Sequence, residues 1–152
     1  MCQLINNQLV MSPAPTSQHQ RVSRNIFRQL DKHVESNKLG EVFYAPVDVY
    51  LDEKNVYQPD ILFISNERME ILQDKVKGAP DLIVEILSPK TGKLDKTNKK
   101  DVYEQAGVKE YWIVDPNSKE VIGYQLTESG YKEIPSQKGV IHSSLFGTTI
   151  RF

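Results

Sequence analysis

Four-residue spacing of Val22, Ile26, Leu30 and Val34 predicts an amphipathic helix of about four turns. Ser17 followed three residues later by Gln20 reads as a capping box at its start, and Asn37 to Gly40 as its end. Before it, Leu4-Ile5 and Leu9-Val10-Met11 flank Asn6-Asn7, the pattern of a small hairpin. After it, Val47, Val49 and Leu51 alternate with polar residues as in a half-buried strand. Asp52 to Asn55 is a polar turn, and Ile61 to Ile64 reads as a buried strand. Residues 65–77 are mixed and predict a short helix or loop.

Leu82 to Leu87 is the most apolar stretch and predicts a central strand ending at Ser88-Pro89. Leu94 to Ala106 is helical in pattern, with Gly107 where a C′ glycine belongs. Tyr111 to Val114 predicts another buried strand, Asp115 to Ser118 a turn, and Val121 to Leu126 its hairpin partner. Shorter strands are expected around Tyr131 and Ile141. This order predicts one α+β domain over residues 1–152, a mixed central sheet flanked by helices.

Composition narrows the function classes. At 152 residues and a formal net charge of -1, the chain lacks the broadly basic character of a protein that coats DNA. A nucleic-acid partner would need a local patch. No apolar run approaches a membrane span, and no basic segment precedes an apolar leader, so neither a membrane nor a secretory signal is expected. The single cysteine, Cys2, excludes an internal disulfide or a cysteine-based zinc site and points to a reducing cytoplasm.

One charge interrupts the most apolar stretch. Glu85 lies among Leu82, Ile83, Val84, Ile86 and Leu87, and a lone buried carboxylate is costly unless paired or ligated. It either belongs to a site, pairs structurally with a lysine, or faces solvent from an edge strand. Pro-Asp occurs twice, at Pro59-Asp60 and Pro80-Asp81. Asp81 precedes the Glu85 strand, four residues and about 13 Å away, too far to share an ion. It reads as a turn residue leading into the strand. Asp60 on a neighbouring strand is the better partner, since Mg²⁺ uses one or two carboxylates and keeps its waters.

Asp95, Lys99 and Tyr103 share one helix face at i, i+4 and i+8. Lys99 either orients a nucleophile near the ion or forms a solvated pair with Asp95. Residues 86–100 hold five lysines, at 90, 93, 96, 99 and 100, against one acid. The first helix holds Arg21, Arg24 and Arg28 among its cations. Both segments suit phosphate contacts, or are solvated faces. His19 begins the first helix, within reach of the sheet or simply exposed; His33 and His142 have no motif around them. Trp112 and the tyrosines read as core and rim residues rather than as a stacking platform. No phosphate-binding glycine loop, nucleophile elbow or His-Glu-x-x-His motif is present.

The chain resembles the putative restriction endonuclease family with the PD-(D/E)XK nuclease fold, small stand-alone bacterial proteins. The likeness rests on Met11-Ser12-Pro13-Ala14-Pro15 with His19, on Pro59-Asp60, and on Gly78 to Pro89. It continues through Asp95, Lys99 and Tyr103 to Gly107-Val108 and Glu110 to Pro116. The resemblance implies a restriction-endonuclease-like sheet, with Asp60, Glu85 and the Ile86 carbonyl as ligands of Mg²⁺ or Mn²⁺. It implies hydrolysis of DNA by an endonuclease that is a homodimer. The superfamily's lysine position, two residues after the second acid, is Leu87 here. Lys99, four residues before the tyrosine, takes that role by resemblance, with Lys90 as the substitute and His19 assisting. Arg21, Arg24, Arg28, Lys90, Lys93, Lys96 and Lys100 would contact DNA. Family members often carry a segment before the first hairpin, so exposed apolar surface is expected there. The rival expectation is a catalytically inactive module that binds nucleic acid or protein.

Overall fold

The computed structural model describes residues 1–89 and 98–152. A hairpin of β1 (Cys2–Ile5) and β2 (Gln8–Met11) opens the chain. Asn6 and Asn7 both hold positive φ, 48° and 65°, as a two-residue hairpin turn demands. Helix α1 (Ser17–Ser36) follows and buries His19, Val22, Ile26, Leu30 and Val34. Its cap is Thr16 rather than Ser17: the Thr16 hydroxyl accepts from the His19 amide. A cap one residue earlier fixes His19 in the first turn, facing inward.

Six strands form the main sheet, in the order β11-β10-β9-β8-β6-β3. They are β3 (Gly40–Tyr44), β6 (Ile61–Ser65), β8 (Leu82–Ile86), β9 (Glu110–Val114), β10 (Val121–Thr127) and β11 (Gly130–Ile134). Only β8 and β9 pair in parallel; the other neighbours are antiparallel. The sheet is therefore mixed and β8 is interior, as the apolar run predicts. A smaller sheet, β2-β1-β5-β4-β7, includes β4 (Val49–Tyr50), β5 (Val56–Tyr57) and β7 (Val76–Lys77). The hairpin of β12 (Val140–Ser143) and β13 (Thr148–Arg151) closes the chain.

Alternate side chains of the central strands enter two separate cores. Ile61, Phe63, Val84, Ile86, Trp112 and Val114 pack with the apolar stripe of α1. Leu62, Ile64, Ile83, Tyr111 and Ile113 pack with Tyr103 of α2 (Lys100–Ala106) and with Val49, Tyr57 and Val76 of the small sheet. The two-residue period of a strand thus sets which helix each residue meets. Gly107 closes α2 at φ 92°, its amide donating to the Tyr103 and Glu104 carbonyls.

Several expected boundaries move. β3 was not anticipated, because its half-exposed edge position gives no clean alternation. The strand expected over 47–51 reduces to Val49–Tyr50, and that over 82–87 ends at Ile86. Residues Asn66–Ile71 form a 3₁₀ helix. Of the helix expected from Leu94, residues 94–97 lie outside the described residues.

Candidate active site

Antiparallel pairing of β6 with β8 sets Ile61 against Val84. Carrying that register one residue further puts Asp60 opposite Glu85. Residues directly opposite point to the same face, so the two acids converge where β6 begins and β8 ends. Both are buried, with exposures of 6% and 4%. Each is tied to groups from other elements. Asp60 Oδ2 accepts the Ile86 amide at 2.7 Å. Glu85 Oε1 accepts from Lys99 Nζ at 2.9 Å and from the Tyr103 hydroxyl at 2.7 Å. Lys99 is itself 3% exposed, so this is a buried ion pair. Its ammonium also lies 5.5 Å from the centre of the Tyr57 ring.

His19 enters from the opposite core. Its Nε2 is 3.0 Å from the Ile86 carbonyl oxygen and 3.4 Å from Asp60 Oδ1. A carbonyl only accepts, so Nε2 carries a proton. Burial alone would lower the His19 pKa. The Asp60 hydrogen bond and charge, the Ile86 carbonyl and the Glu85 charge outweigh it, and the pKa is raised. Burial, followed by the neighbouring Glu85 charge, holds the Tyr103 hydroxyl well above its ordinary pKa, so it is a neutral donor.

His19, Asp60, Glu85, Ile86 and Lys99 line a cleft of about 40 Å³, walled also by Gln3, Gln58 and Ser88. A water needs roughly 10–15 Å³ of such space, so the cleft has room for an ion with a water or two. The donor set fits a hard cation: two carboxylates and a backbone carbonyl, all oxygen. Among the described residues no group of three or more His, Cys, Asp or Glu side chains is placed to hold a metal ion. An open arrangement of few ligands is what Mg²⁺ uses.

The structure thus brings His19, Asp60, Glu85, Ile86 and Lys99 together. Lys90, Lys93, Lys96 and Asp95 lie outside the described residues. Lys100 turns away, its ammonium 5.0 Å from the centre of the Tyr124 ring. Arg21, Arg24 and Arg28 are exposed along α1, beside a separate groove. Asp81 sits at the far end of β8, bound to the Ser65 amide and Lys109. The i+4 spacing places Tyr103 beside Lys99, but nothing local announces its bond to Glu85. Tyr57 carries no sequence signal, because it arrives from the small sheet.

The sequence model of the Uma2 family, described as "Putative restriction endonuclease", matches residues 1–150. The chain belongs to this family. A crystal structure of a "putative nuclease belonging to DUF820" from Anabaena variabilis superposes with a TM-score of 0.79 at 17% identity. The match covers 96% of this chain and 83% of that one. At that identity the likeness establishes the shared fold. No curated protein matches the chain. No helix among the described residues is long and apolar enough to cross a membrane.

Proposed function

We propose that this Uma2-family protein is a Mg²⁺-dependent endonuclease, with Mn²⁺ as a substitute, that hydrolyses DNA phosphodiester bonds. One observation carries the proposal: Asp60, Glu85, the Ile86 carbonyl and the Lys99 ammonium meet in one cleft at the end of β8. Asp60, Glu85 and the Ile86 carbonyl would hold the ion. When bound, a divalent cation activates water and offsets charge on the scissile phosphate. Lys99 holds a positive charge at the cleft, fixed by Glu85 and the Tyr57 ring, where it orients the attacking water or stabilises charge on phosphate. Tyr103 fixes the Glu85 carboxylate through its hydroxyl, and His19 fixes the Ile86 carbonyl. With Leu87 at the usual lysine position, Lys99, which lines the cleft and meets Glu85, is the assigned lysine.

The proposal extends to a single cytoplasmic domain over residues 1–152 acting as a homodimer, with one cleft for each strand of a duplex. Basic residues of α1 and of the segment after β8 would hold the DNA backbone without reading sequence. The test is cleavage of supercoiled DNA. Metal-dependent nicking that disappears in Asp60→Asn is expected. Equal nicking by wild type and variant would overturn the assignment.

A second reading has its own support. Glu85 Oε1 already takes two donors, and His19 already occupies the Ile86 carbonyl, so these two oxygens have protein partners without an ion. That favours an inert module that keeps the fold for binding. Calorimetric titration with Mg²⁺ and Mn²⁺ separates the two, since an inert module takes up no ion at Asp60 and Glu85.

A further inference from the structure

A groove of about 440 Å³ runs along the exposed side of α1, lined by Arg21, Arg24, Phe27, Arg28 and Tyr44 with Gln20 and Ser23. Arg21, Arg24 and Arg28 fall at i, i+3 and i+7, so their guanidinium groups stand in a row over roughly 10 Å. None of their side chains makes an ion pair or hydrogen bond among the described residues, and no acid lines the groove. Tyr44 is 63% exposed, while Phe27 meets it edge-on at 4.8 Å. A tyrosine ring held against a phenylalanine and left open to solvent differs from Tyr57, Tyr103 and Tyr111, which are fully buried.

The groove and the cleft are lined by different residues, some of them neighbours in the chain or the sheet. Tyr44 pairs with Ile61 across the β3–β6 ladder, and the Ala45 amide donates to the Asp60 carbonyl. Tyr44 therefore lies opposite Ile61, the first residue of β6, which follows Asp60 in the chain. On the helix side, Gln20 of the groove adjoins His19 of the cleft.

We propose that this groove binds single-stranded DNA, with an unstacked base on the Tyr44 ring and phosphates along Arg21, Arg24 and Arg28. This rests on the nuclease reading for its orientation, because the strand would run from the cleft into the groove. Charge and aromatic surface select the occupant together. A row of free guanidinium groups suits a phosphate backbone. An open ring face adds nothing to a duplex, whose bases already cover one another, but stacks on any base of a single strand. The surface thus favours single-stranded or unpaired segments over intact duplex.

The test is fluorescence anisotropy with a labelled 12-nucleotide oligo(dT) in EDTA, with an unlabelled duplex of the same length as competitor. Wild type is expected to prefer the single strand. Tyr44→Ala is expected to weaken single-strand binding about tenfold, the usual effect of losing one stacked base. Tyr44→Phe, which keeps the ring, should stay near wild type. Arg24→Gln with Arg28→Gln should flatten the salt dependence. Since Tyr44 is exposed, thermal melting of Tyr44→Ala should match wild type and show that it folds. Binding unchanged in Tyr44→Ala, or duplex competing as well as single strand, overturns the inference. Because EDTA removes cleavage, the two proposals fail separately. A protein that never cuts yet binds in this pattern overturns the nuclease reading alone. A protein that cuts duplex, with binding indifferent to Tyr44, overturns the groove alone.

Discussion

Buried carboxylates lie at both ends of β8, and the two ends hold them differently. At the N-terminal end, Asp81 is met by the Ser65 amide and by Lys109, whose side chain is 47% exposed. Leu82 pairs there with Glu110, which is 1% exposed. Glu110 accepts from the Trp112 indole, the Ser143 and Ser144 hydroxyls and the Leu145 amide, at 2.7–3.0 Å. Those donors are neutral and bolt the segment after β12 to the sheet. At the C-terminal end, Asp60 and Glu85 face each other beside a buried ammonium, a histidine and an open cleft. Burial of an acid therefore does not mark a site here. The difference is that the first end has matched each acid with dedicated donors from its surroundings, while the second brings two acids, a carbonyl and a cation to one void.

The largest contrast is expected in cleavage. Glu85→Gln should lower DNA cleavage by about 10³-fold or more, the scale of several kcal/mol of charge stabilisation. Glu110→Gln should cleave normally below its melting point. Its amide nitrogen would face a hydroxyl or N–H donor, costing about 2 kcal/mol of stability. For a chain of this size that lowers Tm by roughly 5 °C, measurable by calorimetry.

The two lysines sharpen the comparison. Lys99→Met should lower cleavage about 10²- to 10³-fold and cost roughly 3–5 kcal/mol in stability, since Glu85 is left buried without its cation. Lys109→Met removes a half-exposed partner and leaves Asp81 its Ser65 amide, so a smaller loss of about 1–2 kcal/mol is expected, with cleavage unchanged. Chemical denaturation beside a cleavage assay reads both effects. Next in size, Tyr103→Phe should reduce cleavage about tenfold with little loss of fold, as expected for a residue that only orients a ligand.

Smallest are the opposite pH dependences. The His19 pKa is raised in the folded protein. Its contribution is full below the unfolded value near 6.5 and is lost as pH rises through the folded one. Burial works against Asp81, but the Lys109 and Ser65 contacts outweigh it and lower its pKa. That contribution is full above about pH 4 and is lost as pH falls. Melting curves of metal-free protein from pH 3 to 9 should show the alkaline decline flattened by His19→Gln and the acid decline softened by Lys109→Met.

Sequence periodicity made α1 and the central strands legible, because the buried stripe of α1 and the apolar runs of β6, β8 and β9 are dictated by the two cores. Edge elements were less legible. β3 and β13 expose much of their length, so their patterns blur into loop. In the site, Glu85 stood out because a charge interrupts an apolar run, and Asp60 because it heads the next such run. Glu110 escaped notice although it interrupts nothing less apolar: it sits at the start of its strand, where a charge looks like a boundary. Tyr57 and the Tyr44 groove escaped because their partners, Lys99 and Phe27, are distant in sequence and only the fold brings them together.

The central claim is that the acids at the C-terminal end of β8 act on DNA and those at the other end hold the fold. The most direct measurement is nicking of a supercoiled plasmid with Mg²⁺, Mn²⁺ or EDTA. Wild type, Glu85→Gln and Glu110→Gln, purified identically, are compared below the lowest melting point. The account predicts metal-dependent nicking by wild type and Glu110→Gln, and none by Glu85→Gln. Nicking that survives in Glu85→Gln, or its absence from wild type under every metal, would contradict it.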